Sequence, residues 1–396
     1  MKSKVIILLI GILVIVVAGY VSITKPETPG ESEQSGTAEN TATTTEVTPP
    51  VVPPSVSPVT IDTSLLPATE VIAENLDIPW DIAFLPDGSM LVSERPGNLF
   101  VFAQDGSRKA IDVPDVRHVG EGGLLGMTLH PNFKQNKFIY LYVTVDQDGE
   151  LLNRVIRYRL DNNVLSNKEV ILSDIPGAQF HDGGRMGFSP DGFLFITTGD
   201  ARDEKLAQDK TSLAGKILRI REDGSIPADN PFGNEVYSYG HRNPQGITWD
   251  DQGQLWSTEH GRTTATLTGM DELNLIGKGK NYGWPDIEGD KTKQGMEVPV
   301  LHSGASETWA PASAAFLDGS IYFGGLRGET LYRAKITGER SVELARFLHT
   351  EFGRIRVVRV GPDKMLYIST SNQDGRGTAR KGDDKIIRVN PAKLDL

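Results

Sequence analysis

His181 stands in the run Phe180-His-Asp-Gly-Gly-Arg185. Imidazole is the side chain whose unperturbed pKa allows base chemistry near neutrality, and the paired glycines would let the backbone approach a bound molecule closely. Asp200, at the far end of the strand that begins just after this run, is a carboxylate suited to orienting it. A His beside Gly-Gly also suits an ordinary turn. In Tyr239-Gly-His-Arg-Asn-Pro-Gln-Gly246, Arg242 and Asn243 are adjacent donors that could hold a carboxylate or polarised oxygen, or simply cap a turn. The stretch Ser257-Thr-Glu-His-Gly-Arg262, followed by Asp271-Glu272 and Asn281-Tyr-Gly-Trp-Pro285, combines glycine-rich backbone with carboxylates, a source of oxygen ligands for a hard cation. Solvated surface acids explain the same residues. His260 has no second His at helical spacing and is a poor zinc ligand. Arg327, and Arg354 with Arg356 at alternate strand positions, form a cationic face that calls for an anionic ligand or for compensating acids.

The elements that must position these residues are short strands. The 396 residues include 42 glycines and 23 prolines, which break helices and build turns, while 38% hydrophobic residues are enough for a sizeable core. From Pro67 one phrase recurs: an apolar residue, a Pro/Asp/Gly turn, then alternating apolar residues. It reads Phe84-Leu-Pro-Asp-Gly-Ser-Met-Leu-Val-Ser-Glu, then Leu129-His-Pro-Asn-Phe with Phe138-Ile-Tyr-Leu-Tyr-Val-Thr, then Phe188-Ser-Pro-Asp-Gly-Phe-Leu-Phe-Ile-Thr-Thr. Three more begin at Trp249, Phe316 and Val360. Each is a hairpin by its turn chemistry and its period of two. Six hairpins at regular intervals predict an all-β, six-bladed β-propeller over residues 67–396, closed by pairing Thr69–Ala73 with Lys385-Ile-Ile-Arg-Val389. Equivalent strand ends would then meet at one face, gathering Thr198-Gly-Asp200, Thr258-Glu-His-Gly261, Gly324-Gly-Leu-Arg327 and Ser369-Thr-Ser371.

A net charge of −11 gives no basic face for phosphates, so nucleic acid is excluded as a partner, and the absence of cysteine excludes disulfides and thiol chemistry. Residues 1–24 open with Lys2 and Lys4 and run uncharged from Val5 to Thr24, as a signal peptide or a membrane anchor would. Residues 25–66, rich in Thr, Pro and Ser, read as an extended linker. The folded part is therefore expected outside the cytoplasm, secreted or anchored, with membrane contact only through the N-terminal segment.

Between about Ile78 and Asn390 the sequence resembles the soluble aldose sugar dehydrogenase and soluble glucose dehydrogenase family. The likeness rests on Gly120-Glu-Gly-Gly-Leu-Leu-Gly126, the His181–Arg185 run, Arg242-Asn-Pro-Gln-Gly246, Asp271-Glu-Leu-Asn-Leu275 and Asn281-Tyr-Gly-Trp-Pro285, in this order. The resemblance implies a six-bladed propeller that binds pyrroloquinoline quinone (PQQ) and calcium and oxidises aldoses to lactones. It makes His181 the general base and sets Arg242 and Asn243 on the quinone oxygens. Thr308, Arg327, Arg354 and Arg356 would hold the cofactor and its carboxylates. The carbonyls of Gly261 and Arg262 would bind the catalytic calcium, and Glu272 with the Tyr282 carbonyl a second, structural one. Glu121, also placed in the cofactor pocket, stands where a glutamine often faces substrate; Arg327 replaces a lysine, Arg262 a proline, and four extra residues lengthen the loop between Gly261 and Asp271. The compact chain favours a broad aldose range; its external electron acceptor is left open, and its state is monomer or homodimer. The competing readings are a non-enzymatic propeller that binds a protein or glycan, and a calcium-dependent lactonase-type hydrolase.

Overall fold

A computed structural model describes residues 65–262 and 269–395. The expected signal or anchor segment 1–24, nearly all of the linker 25–66 and part of the lengthened loop after Gly261 lie outside the described residues. Six four-stranded antiparallel sheets follow one another along the chain. Blade 1 begins with Pro79–Phe84 and Met90–Glu94, blade 2 with Leu124–Leu129 and Phe138–Gln147, and blade 3 with Met186–Phe188 and Leu194–Thr198. Blade 4 begins with Pro244–Trp249 and Leu255–Glu259, blade 5 with Pro311–Leu317 and Ser320–Gly325, and blade 6 with Ile355–Val360 and Leu366–Thr370. Each opening hairpin is one of the six repeated phrases. In blade 3 the turn is closed at Gly192, whose φ of 86° suits a residue without a side chain. Blade 2 departs from the tight-turn expectation, because a short helix, Phe133–Asn136, fills its connection.

The first strand of every blade packs against the first strand of both neighbours, so these six strands form a closed inner ring. Closure uses the pairing read from the sequence: Thr69–Ala73 joins blade 6 as its outer strand beside Ile386–Val389, with Thr69 opposite Val389 and Val71 opposite Ile387. The first and last strands of the described chain thus share one sheet, which locks the ring shut.

The apolar alternation within each strand serves this ring. Each junction between neighbouring blades holds its own core cluster, such as Leu91, Leu99 and Val101 with Leu124, Ile139 and Leu141 between blades 1 and 2. Between blades 6 and 1 it is Val357 and Ile386 with Ile82, Met90 and Val92. A fully buried aliphatic side chain of this kind contributes roughly 1.5–3 kcal/mol. Stability is thus distributed around the ring, which leaves the axial face free to carry polar groups.

Candidate active site

First strands begin, and second strands end, at the same face of the ring. There a cavity of about 880 Å³ opens on the axis. Every blade lines it: Trp80, Leu125, Gly183, Gln245, Ala310 and Arg356 come from, or immediately precede, the six inner strands.

His181 and Asp200 meet in its wall. The strand that follows the His181 run ends at Phe188, so Asp200 lies not at that strand's end but just past the return strand Leu194–Thr198, and the antiparallel hairpin brings it back beside His181. His181 Nδ1 lies 2.7 Å from Asp200 Oδ1. Oδ1 also accepts the Arg202 amide at 2.9 Å, and Oδ2 accepts Trp284 Nε1–H at 2.9 Å. Burial acts to raise the Asp200 pKa, but the hydrogen bond and charge of His181 outweigh it and hold the carboxyl below its ordinary value. An ionised Asp200 keeps the proton on Nδ1, so Nε2 presents a lone pair to the cavity. The backbone fits this pairing closely: His181 has φ 68°, and a Cβ at Gly199 would stand 1.7 Å from the His181 carbonyl oxygen.

Arg242 borders the same wall. Its amide is held by the Glu259 carboxylate, its carbonyl accepts the Asp200 amide at 2.8 Å, and its guanidinium lies 5.4 Å from the Trp284 ring centroid. Burial lowers its pKa. Asn243 stands behind the wall, 1% exposed, its Oδ1 accepting the Gly183 amide at 3.0 Å. Thr308 and His260 line the cavity with buried side-chain atoms, Oγ1 and Nε2, that have no hydrogen-bond partner among the described residues. Burial pushes His260 down to about 3, so it is a neutral imidazole at working pH.

The arginine face opposite is real, and an acid compensates part of it. Arg354 Nη2 lies 2.7 Å and Arg356 Nη2 3.5 Å from the same oxygen of Asp374. Arg356 also reaches Ser371 Oγ at 3.1 Å, and burial brings its pKa down to about 9. Arg327 is exposed at the cavity and carries no ion pair among the described residues. Glu121 Oε2 accepts the His181 amide at 3.1 Å while Oε1 pairs with Arg376. Burial would raise Glu121, but Arg376 and the His181 amide bring it down to about 2.

The metal candidates adjoin this cavity. Asp271 Oδ1 accepts the Gly261 amide at 2.8 Å, and its Oδ2 accepts the amides of Trp309 and Ala310. This fixes the loop so that, among the described residues, the carbonyls of Gly261 and Arg262 accept no hydrogen bond. The Arg262 guanidinium stacks on Trp284, 4.2 Å from its centroid. Glu272 faces Glu259 across paired strands, and burial plus that second carboxylate raise it to about 8. Tyr282 lies alongside, its hydroxyl bonded to the Leu275 carbonyl at 2.6 Å.

Three participants escaped the sequence reading. Trp284 was quoted only as part of a loop, yet its indole N–H fixes Asp200 and its ring supports two arginines. Asp374 and Arg376 lie in Gln373-Asp-Gly-Arg376, a Gly-flanked segment after a second strand, the same signal that marked the other cavity segments.

A ring-closed propeller with a His–carboxylate dyad in an arginine-lined axial cavity is built as an enzyme. The family is shown directly: the Glucose / Sorbosone dehydrogenase model matches residues 76–387, and the chain belongs to that family. It is accordingly an aldose-oxidising oxidoreductase. The aldose sugar dehydrogenase YliI of Escherichia coli is 35% identical over 82% of this chain and 94% of its own length. The PQQ-bound aldose sugar dehydrogenase from Streptomyces coelicolor is 38% identical, covers 81% of this chain and 98% of its own, and superposes with a TM-score of 0.74. The soluble aldose sugar dehydrogenase from Escherichia coli in its apo form is 31% identical over 81% of this chain and 98% of its own, with a TM-score of 0.73.

Proposed function

We propose that this chain oxidises aldoses at the anomeric carbon to lactones with bound PQQ, His181 acting as general base and calcium as the metal. The observation that carries the reading is the 2.7 Å contact between His181 and Asp200 in the wall of the axial cavity. A proton from the anomeric hydroxyl passes to His181 Nε2, and the resulting imidazolium is stabilised by ionised Asp200, which stays fixed by Trp284 and the Arg202 amide.

The residues suit a flat tricarboxylate with quinone oxygens. Among the described residues Thr308 Oγ1 and His260 Nε2 are buried polar atoms without a hydrogen-bond partner, and Arg327 is a cation without an ion pair. Arg327, Arg354, Arg356 and Thr308 would hold the carboxylates, with Arg242 at the quinone oxygens and Glu121 near the substrate side. Gly261 and Arg262 carbonyls fit a calcium beside the cofactor, and the Glu259–Glu272 pair with the Tyr282 carbonyl fits a second, since a dication would offset both the burial and the neighbouring carboxylate that raise Glu272. The chemistry supplied by the bound pair is hydride acceptance at a metal-polarised quinone carbonyl. The run from Val5 to Thr24 supports export or anchoring.

The test is to add PQQ and calcium to the full chain and follow dye reduction over a panel of aldoses. Turnover that needs both additions is the expected result. Failure of the chain to bind the quinone removes the reading.

A further inference from the structure

The charges in the cavity wall are unevenly settled: Arg327, which has no ion pair among the described residues, is taken up by the proposed cofactor, and a further unpaired cation is left over. Arg354 and Arg356 share Asp374, Arg376 is paired with Glu121, and Arg262 is shared between Glu204 and Glu288, 3.4 Å from each. Arg202 is accounted for neither by an acid nor by the proposed cofactor contacts. Its guanidinium lines the cavity and is exposed, stacked over Phe180 at 5.5 Å from the centroid, and among the described residues no carboxylate pairs with it. The acids that could reach it are engaged: Asp200 with His181 and Trp284, Asp203 with the Lys205 amide, Glu204 with Arg262, and Glu121 with Arg376.

Arg202 also sits where a side chain is costly. Its φ is 68°, after Ala201 at 51°, a left-handed conformation that favours glycine by roughly 1–2 kcal/mol over other residues. The turn itself needs only the Arg202 amide, which any residue would supply to Asp200. The guanidinium adds nothing to the turn, so its presence points outward to a ligand.

We infer that Arg202 recognises an anionic substituent on the aldose, remote from the anomeric carbon, so that acidic sugars are favoured substrates. The inference rests on the proposed aldose oxidation. His181 lies inside the cavity and fixes the anomeric end; Arg202 stands at the exposed rim beside Phe180, where the far end of a pyranose emerges. A carboxylate or a phosphate there receives the two parallel N–H donors of a planar guanidinium. The anion can be a uronic carboxylate or a sugar phosphate.

The experiment compares D-glucose, D-glucuronate and D-glucose 6-phosphate on the PQQ- and calcium-loaded full chain, wild type and Arg202→Gly. Glycine suits the backbone, so this variant folds at least as well; Arg202→Gln provides a second. The ratio of kcat/KM for the favoured anionic sugar to that for glucose is expected to fall about tenfold or more in both variants. The KM for that sugar should rise with salt while the KM for glucose holds. Which anion responds identifies its class. An unchanged ratio, or no advantage of either anion over glucose at low salt, overturns the inference while leaving aldose oxidation intact. Calorimetry supplies a readout independent of turnover: methyl β-D-glucuronoside, capped at the anomeric oxygen, should bind the full chain more tightly than methyl β-D-glucoside, and Arg202→Gly should erase the difference. If no aldose, neutral or acidic, is oxidised, the proposed function fails and this binding comparison alone decides the role of Arg202.

Discussion

Asp81, Arg185 and Arg359 form one cluster of charge on or beside the innermost strands, and Arg354, Arg356 and Asp374, around the start of the blade 6 hairpin and past its second strand, form another. In the first, Asp81 accepts Arg359 at 2.9 and 3.0 Å, and Arg185 Nη1 lies 2.7 Å away as a close ionic contact rather than an aligned hydrogen bond. Asp81 and Arg185 are both 0% exposed, Arg185 stacks on Trp80 at 4.1 Å, and neither lines the cavity. In the second, all three residues line it. One cluster is closed within the protein and ties blades 1, 3 and 6 together; the other keeps guanidinium groups facing a space a ligand can enter. Similar side chains thus close on one another in one place and border an open cavity in the other, and the deciding variable is access.

The strongest challenge to this division is His181→Ala, which should lower dye-reduction turnover by about 10²–10⁴-fold while quinone binding persists; retained turnover would remove His181 from the chemistry. Arg185→Ala should destabilise by about 3–5 kcal/mol in thermal or denaturant unfolding, because it leaves the Asp81 carboxylate buried with less than its full compensation. A negligible shift would show the closed cluster to be dispensable. Replacing both Arg354 and Arg356 with alanine should weaken quinone binding about 10²–10⁴-fold in a fluorescence titration, each lost charged hydrogen bond being worth roughly 1.5–3 kcal/mol; unchanged affinity would make this cluster structural too.

A further prediction concerns Asp182, next to His181. Burial raises it to about 7, only partly opposed by hydrogen bonds from Asn153 and the Ala178 amide. Between an unfolded value of about 4 and this folded value the native state holds a proton that the unfolded state has lost, so stability should fall as pH rises from about 4 to 7. Asp182→Asn should flatten that part of a stability–pH curve; an unaltered slope would assign it to other groups.

The propeller was legible because its instructions are local. Each Asp-Gly or Pro-Asp turn lies within a few residues of the strands it joins, and even the closing pair announced itself as two unmatched apolar runs, Thr69–Ala73 and the stretch around Ile386. The site was legible where chemistry and glycine coincide, at His181 and Arg242. It was obscure where partners converge from afar: Glu121 meets Arg376 across 255 positions, and Trp284 reaches Asp200 across 84. The sequence left open whether Arg354 and Arg356 meet an acid or a ligand, and Asp374 answers half of that question, since it touches both arginines and still lies open to the cavity.

The closing pair also imposes an order on synthesis. Thr69–Ala73 leaves the ribosome before any blade exists, and Ile386–Val389 leaves it only after every other described strand. Until then an early strand carrying Val71 and Ile72, which remain 45% and 39% exposed even in the finished protein, has no neighbour. Nascent chains crowded on one message therefore offer one another an unmatched edge until the strand Ile386–Val389 emerges and relieves it.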